Sequence, residues 1–199
     1  SPIFSGFPIL NRFPSVKIIY SSLASYVSLL ITNWSGPDAI VHAWLYLLKS
    51  FAAPVDVISE KEDFSGYPFL IAPAYQLLDN KLVERWTEYV KKGGHLILTC
   101  RTGQKDRDAK LWEAPLAAPI HQLAGINSLY YDHLPHNLYG KIDFEGKEFA
   151  WNNWGDVLTP AAGTDVWAVY TDQFYKGAAS VIHLSLIHIS EPTRRTPIS

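Results

Sequence analysis

The sequence predicts an α/β fold, a layered sheet with flanking helices and a β-hairpin region toward the C-terminus. Three observations carry that expectation. Short apolar, β-branched runs alternate with segments of helical period between Asn33 and His183. One strand–helix–strand unit, from Phe69 to Thr99, is complete, and its crossover is expected to be right-handed. The 199 residues, 48% hydrophobic and 18% charged, suffice for one domain with a core of its own and would be strained by two.

The elements follow in order. Ser35-Gly36-Pro37-Asp38 supplies a cap and a proline suited to a first helical turn, after which Ile40, Val41, Trp44, Leu45, Leu48 and Phe51 share one face. Pro54 stops that helix, and Val55 to Ile58 reads as a buried strand followed by the charged loop Ser59 to Asp63. Phe69 to Pro73 is the next parallel strand, too short for a helix and closed by proline. Asp79 caps a helix in which Leu82, Val83, Trp86, Tyr89 and Val90 recur at helical spacing, and Gly93-Gly94 stops it. His95 to Thr99 reads as another buried strand, leading into a polar loop from Arg101 to Asp108 where an open parallel sheet would carry a site. Beyond Pro119 a short helix ends near Gly125. Lys141 to Phe144 and Lys147 to Ala150 flank Glu145-Gly146 as a hairpin. Asp165 to Tyr170 and Ala178 to Ile182 complete the set as two strands.

Composition removes several classes of function. The formal net charge is −2 with Lys and Arg scattered, so there is no basic stripe for nucleic acid. The single cysteine, Cys100, excludes an internal disulfide and a multi-thiolate zinc site; it is compatible with a reduced compartment and leaves the redox compartment open. The apolar stretch Ile18 to Ile31 is too short for a membrane span and is broken by Ser21, Ser22, Ser25 and Ser28. It reads as core or as unreliable sequence. The chain holds no methionine and starts at Ser1 without a signal-peptide pattern, which points to a gene start lying upstream.

Three runs carry a resemblance: Ala53-Pro54-Val55-Asp56-Val57-Ile58, Tyr67 to Tyr75, and Trp86 to Gly103 with its Lys91-Lys92-Gly93-Gly94-His95-Leu96-Ile97-Leu98 centre. With Trp154-Gly155-Asp156 and Gly163 to Ala168, they resemble the middle domain of glycoside hydrolase family 42 β-galactosidases over roughly Asn33 to His183. The resemblance implies a flavodoxin-like or class I glutamine amidotransferase-like sheet that packs between the subunits of a homotrimer. It implies a cytoplasmic bacterial enzyme of carbohydrate metabolism acting on terminal β-D-galactosides. A retaining glycosidase needs two carboxyl groups about 5 Å apart, and in the family both glutamates lie on a preceding (β/α)8 barrel that this chain lacks. Hydrolysis by the fragment alone is therefore not expected, and galactoside would be met only through the missing barrel. Ser1 to Thr32 does not match the family, as a shifted frame or foreign join would produce. Leu184 to Ser199, with Ser190-Glu191-Pro192-Thr193-Arg194-Arg195, resembles a translated sequencing adapter and is set aside. Loss of the closing strand that the family would place there is expected to expose a sheet edge.

No residue is assigned a catalytic, cofactor-binding or metal-binding role, and each candidate has a plainer reading. Cys100 follows a strand as the nucleophile of a cysteine hydrolase would, but Leu98, Thr99, Arg101 and Thr102 flank it where a nucleophile elbow needs small residues. It reads as a small buried thiol. Asp132, His133 and His136 lack a further ligand, and Pro135 disfavours a helix to space them, so a solvated loop is expected. Asp143, Glu145 and Glu148 read as outward charges of the hairpin. Trp151, Trp154 and Trp167 could stack a sugar, but core or interface packing is the preferred reading. Arg101, Lys105 and Arg107 could hold an anion or a neighbouring subunit, or form a solvated loop.

Overall fold

The computed structural model describes residues 16–20, 37–112, 115–135 and 137–185. They fall into two compact units, one drawn from Ser1–Tyr75 with Gly94–Thr102 and the other from Gln76–Gly93 with Gly103–Ser199. The stretch from Asn33 to His183 thus contributes to both.

The first unit is a parallel sheet of β1 (Val16–Tyr20), β2 (Val55–Ser59), β3 (Phe69–Ala72) and β4 (His95–Leu98), in the order β2-β1-β3-β4. Inner strands of parallel sheets are buried on both faces. Leu70 and Ile71, successive residues of β3, are accordingly both within 1% of full burial. The inner strand β1 takes in the start of the apolar stretch Ile18 to Ile31, and its Ile18 is fully buried, as core. Val16 pairs with Val55 on one side and Phe69 on the other. Helix α1 (Pro37–Ser50) packs Val41 against Ile18 and Ile71, with Trp44, Leu45 and Leu48 at the margin. The helix ends at Ser50, and Ala52 takes the left-handed region at φ 55° two residues before Pro54. Three expectations are corrected. Phe51 lies beyond the helix and is 59% exposed. β2 and β4 are the two edges of this sheet rather than buried strands, and Val57 and Ile97 face outward.

The second unit begins with helix α2 (Asn80–Lys91), whose Leu82, Trp86 and Tyr89 are buried. Asp79 caps it, its side chain accepting from the Leu82 N–H at 2.8 Å, and Gly93 follows at φ 93°. A 3-10 turn (Ala118–Ile120) and the one-turn helix α3 (His121–Ala124) end at Gly125, φ 69°. Six antiparallel strands follow: β5 (Ile126–His133), β6 (Gly140–Phe144), β7 (Lys147–Trp151), β8 (Trp154–Pro160), β9 (Asp165–Tyr170) and β10 (Ala179–His183). Their order is β5-β8-β10-β9-β6-β7. The β6–β7 hairpin turns on Glu145 and Gly146, both with positive φ, which is the two-residue turn matched to strand twist. Leu184, the first residue of the stretch set aside above, packs over Gly125, where an added Cβ would meet it at 3.1 Å.

The antiparallel sheet is larger than the sequence indicates, in part because β5 lacks clean alternation. β5 buries Ile126 and Leu129, a spacing of three, and its pairing with β8 slips between Ile126 and Ser128. That irregularity removes the period-two signal.

Candidate association surface

Residues directly opposite in an antiparallel pair project from the same face. Tyr130 lies opposite Val157, and Ile142 opposite both Tyr170 and Phe149. These positions build an aromatic cluster on one face of the six-stranded sheet. Trp151 meets Tyr170 edge to face at 5.5 Å, and Tyr170 meets Tyr175 at 4.9 Å. Tyr175 in turn contacts Tyr130 at 6.1 Å and Phe174 at 4.9 Å, again edge to face. Such pairs contribute about 0.5–1.5 kcal/mol each beyond area burial.

The cluster is buried at its centre and open at its ends. Val157, Tyr170 and Tyr175 form the core, whereas Tyr130, Phe149 and Phe174 are exposed. Glycine makes the centre possible: an added Cβ at Gly140 would meet the Trp151 indole at 2.2 Å, and one at Gly155 would meet the Tyr170 hydroxyl at 2.7 Å. The Tyr170 hydroxyl donates to the Asp156 carbonyl at 2.9 Å and the Tyr175 hydroxyl to Asp132 Oδ2 at 2.6 Å. Burial, and then the Asp132 carboxylate, push the Tyr175 phenol well above its ordinary range. Exposed aromatic surface that continues a packed cluster and carries polar groups at its margin is the composition of an association surface.

The residues singled out from sequence scatter around this cluster. Asp132 and His133 stand on β5, not on a solvated loop, and as neighbours in a strand they project from opposite faces; His136 lies outside the described residues. Trp151 belongs to the cluster. Trp154 stacks on Tyr131 at 4.2 Å and donates its indole N–H to Asp156 Oδ1 at 2.7 Å. Trp167 is half exposed and stacks on His183 at 4.7 Å. Of the hairpin carboxylates, Glu148 pairs with Lys141 at 2.8 Å and Asp143 accepts from the Gly146 N–H at 3.2 Å.

The Arg101–Arg107 loop is not the solvated segment that its charges suggest. Arg101, Thr102 and Gln104 are buried, Lys105 is held by backbone bonds to Gln76 and Leu78, and Arg107 Nε donates to Asp79 Oδ2 at 2.8 Å. Cys100 is a partly buried thiol that forms no disulfide. The left-handed residue beside it is Arg101, at φ 69°, rather than the cysteine, and among the described residues no helix follows before Ala118. A nucleophile elbow needs strain at the nucleophile and a helix directly after it, so the cysteine-hydrolase alternative loses its geometry. Phe174 and Tyr130 are not singled out by sequence because only the fold brings them to one cluster; the seven-residue connection Thr171–Gly177, with the aromatic pair Phe174-Tyr175 between two expected strands, is the available signal.

Comparison with known proteins gives a consistent result. The chain matches the family described as the β-galactosidase trimerisation domain over residues 24–186. It is 32% identical over 168 residues to β-galactosidase BgaA of Clostridium cellulovorans, covering 83% of this chain and 25% of that protein. It is 28% identical over 155 residues to β-galactosidase Bga of Halorubrum lacusprofundi, covering 72% and 22%. Among solved structures, a polyextremophilic β-galactosidase of Halorubrum lacusprofundi superposes with a TM-score of 0.78 at 24% identity, covering 87% of this chain and 26% of that one. The β-galactosidase of Bacillus circulans sp. alkalophilus gives 0.78 at 22% identity, covering 87% and 27%. This chain spans about a quarter of the length of these relatives.

Proposed function

The chain belongs to the β-galactosidase trimerisation domain family, and from that premise we propose that it is the non-catalytic subunit-association domain of a β-galactosidase. The enzyme hydrolyses terminal β-D-galactosides on a (β/α)8 barrel outside this chain, and its subunits close into a homotrimer. The observation that carries the proposal is the aromatic cluster, packed at Tyr170 and Tyr175 and open at Tyr130, Phe149 and Phe174. A closed three-fold ring needs a heterologous contact, two different patches on each copy. None of the residues weighed from sequence is assigned to catalysis, and Cys100 has a structural role.

The order β2-β1-β3-β4 of the parallel sheet corresponds to the first four places of the flavodoxin-like order, which supports that relationship for the first unit. The six antiparallel strands are an addition to it. A cytoplasmic setting accords with the single cysteine, and among the described residues no helix is long and apolar enough to cross a membrane.

The test is hydrolysis of a chromogenic β-galactoside by this chain alone and by the full-length polypeptide that carries it. The full-length polypeptide is expected to be active and this chain inactive. Activity of this chain alone would refute a purely associative role.

A further inference from the structure

Phe174 is 89% exposed, the highest exposure among the large apolar side chains described, and it sits on a loop with little freedom. The loop joins β9 to β10. Tyr170 N–H donates to the Ala178 carbonyl at 3.0 Å and Gly177 N–H returns to the Tyr170 carbonyl at 2.8 Å. Ala178 N–H closes a turn on the Tyr175 carbonyl at 2.9 Å, and Thr171 N–H reaches the Lys141 carbonyl of β6 at 3.0 Å. Tyr175 is locked beneath by its hydrogen bond to Asp132. Gln173, immediately before Phe174, takes the left-handed conformation at φ 56°, which is uncommon for a residue with a side chain.

The loop is therefore shaped before any contact is made. An aromatic ring that rests by one edge contact on Tyr175 and is otherwise exposed on a shaped loop loses little entropy on docking, which is the property of an interface anchor. Its exposed neighbours Gln173, Lys176 and Gly177 surround one ring with polar groups, the anatomy of an anchor within a solvated rim. The ring is a projection, so it calls for a concave apolar site.

Resting on the association reading above, we infer that Phe174 is the anchor by which this domain docks into an apolar pocket of a second copy of the chain. The projecting loop is one of the two unlike patches that a closed ring requires.

Sedimentation equilibrium of the full-length polypeptide tests this, with Phe174→Ser, Phe174→Tyr and the unsubstituted protein compared over a range of concentrations. Phe174→Ser is expected to raise the subunit dissociation constant about tenfold or more, while Phe174→Tyr stays near the unsubstituted value. The thermal midpoint of the dissociated Phe174→Ser subunit is expected to fall only by the small contribution of the Phe174–Tyr175 edge contact, since the ring is otherwise exposed. Unaltered association of Phe174→Ser would overturn the inference while leaving the association reading intact. A midpoint lowered well beyond the loss of that one edge contact, with association preserved, would overturn it in favour of an occupant from the same polypeptide. An unsubstituted protein that stays monomeric throughout would remove the association reading and this inference together.

Discussion

The hydroxyl of Tyr175 donates to Asp132 Oδ2 over 2.6 Å, tying the β9–β10 loop to the edge strand β5. The two residues are 43 positions apart in sequence, and the bond sits at the hub of the aromatic cluster. Tyr175→Phe removes one hydroxyl and leaves the carboxylate without that donor. Hydrogen bonds to charged groups contribute about 1.5–3 kcal/mol, so urea denaturation is expected to show a loss of that order. An unchanged midpoint would mean that the bond does not hold the loop.

The same pair sets an alkaline limit. Burial first, then the Asp132 carboxylate, hold the Tyr175 proton on above the ordinary phenol value of 10.0. The folded chain therefore keeps a proton that the unfolded chain loses, and this contribution to stability is present below about pH 10 and is lost as pH rises further. Spectrophotometric titration should show one tyrosine resisting ionisation until unfolding, and Asp132→Asn should let it titrate earlier. A Tyr175→Phe variant with the same set of resistant tyrosines as the unsubstituted protein would contradict the assignment.

Asp79 sets a limit on the acid side. Burial raises its pKa, but the hydrogen bonds from Arg107 and the Leu82 N–H, with the charges of Arg107 and Lys81, outweigh it and hold the carboxyl below 3.8. A depressed native pKa gives stability that is present above that value and lost as pH falls through the lower native one. Asp79→Asn keeps a cap acceptor and should flatten the loss of stability below about pH 4. Asp79→Ala also loses the cap, at about 1 kcal/mol near neutral pH. Thermal midpoints across that range separate the two, and equal acid sensitivity in Asp79→Asn and the unsubstituted protein would contradict the sign.

Gly155 tests the packing. A methyl group there would stand 2.7 Å from the Tyr170 hydroxyl and 3.0 Å from the Trp151 ring. Forced overpacking costs about 1–3 kcal/mol, and Gly155→Ala is expected to fall in that range by chemical denaturation. Gly66→Ala, with nothing within 4 Å, is the control and should stay within about 0.5 kcal/mol. Equal effects at both positions would show that the Trp151–Tyr170 contact is not as described.

The legible parts of this chain are those where local chemistry and fold agree. Asp79, the Leu82–Trp86–Tyr89 stripe and Gly93 mark α2 from cap to stop, and Glu145-Gly146 marks its hairpin. Strand position was less legible, because Val55 to Ile58 and His95 to Thr99 read as buried runs although β2 and β4 are both edges. An apolar run reports a strand but not its neighbours. β1 was obscured by the unusual sequence around it, and β5 by its irregular pairing. Family membership was legible from the ordered runs between Ala53 and Gly103, which are packing motifs. The aromatic cluster was not, since Tyr130, Trp151, Tyr170 and Tyr175 come from separate elements that only strand order brings together.

The association proposed for this domain is tested most directly by the molar mass of the full-length polypeptide in solution, measured by sedimentation velocity over a wide concentration range. A species of three times the monomer mass that dissociates on dilution is expected. A monomer persisting to the highest concentration would contradict it.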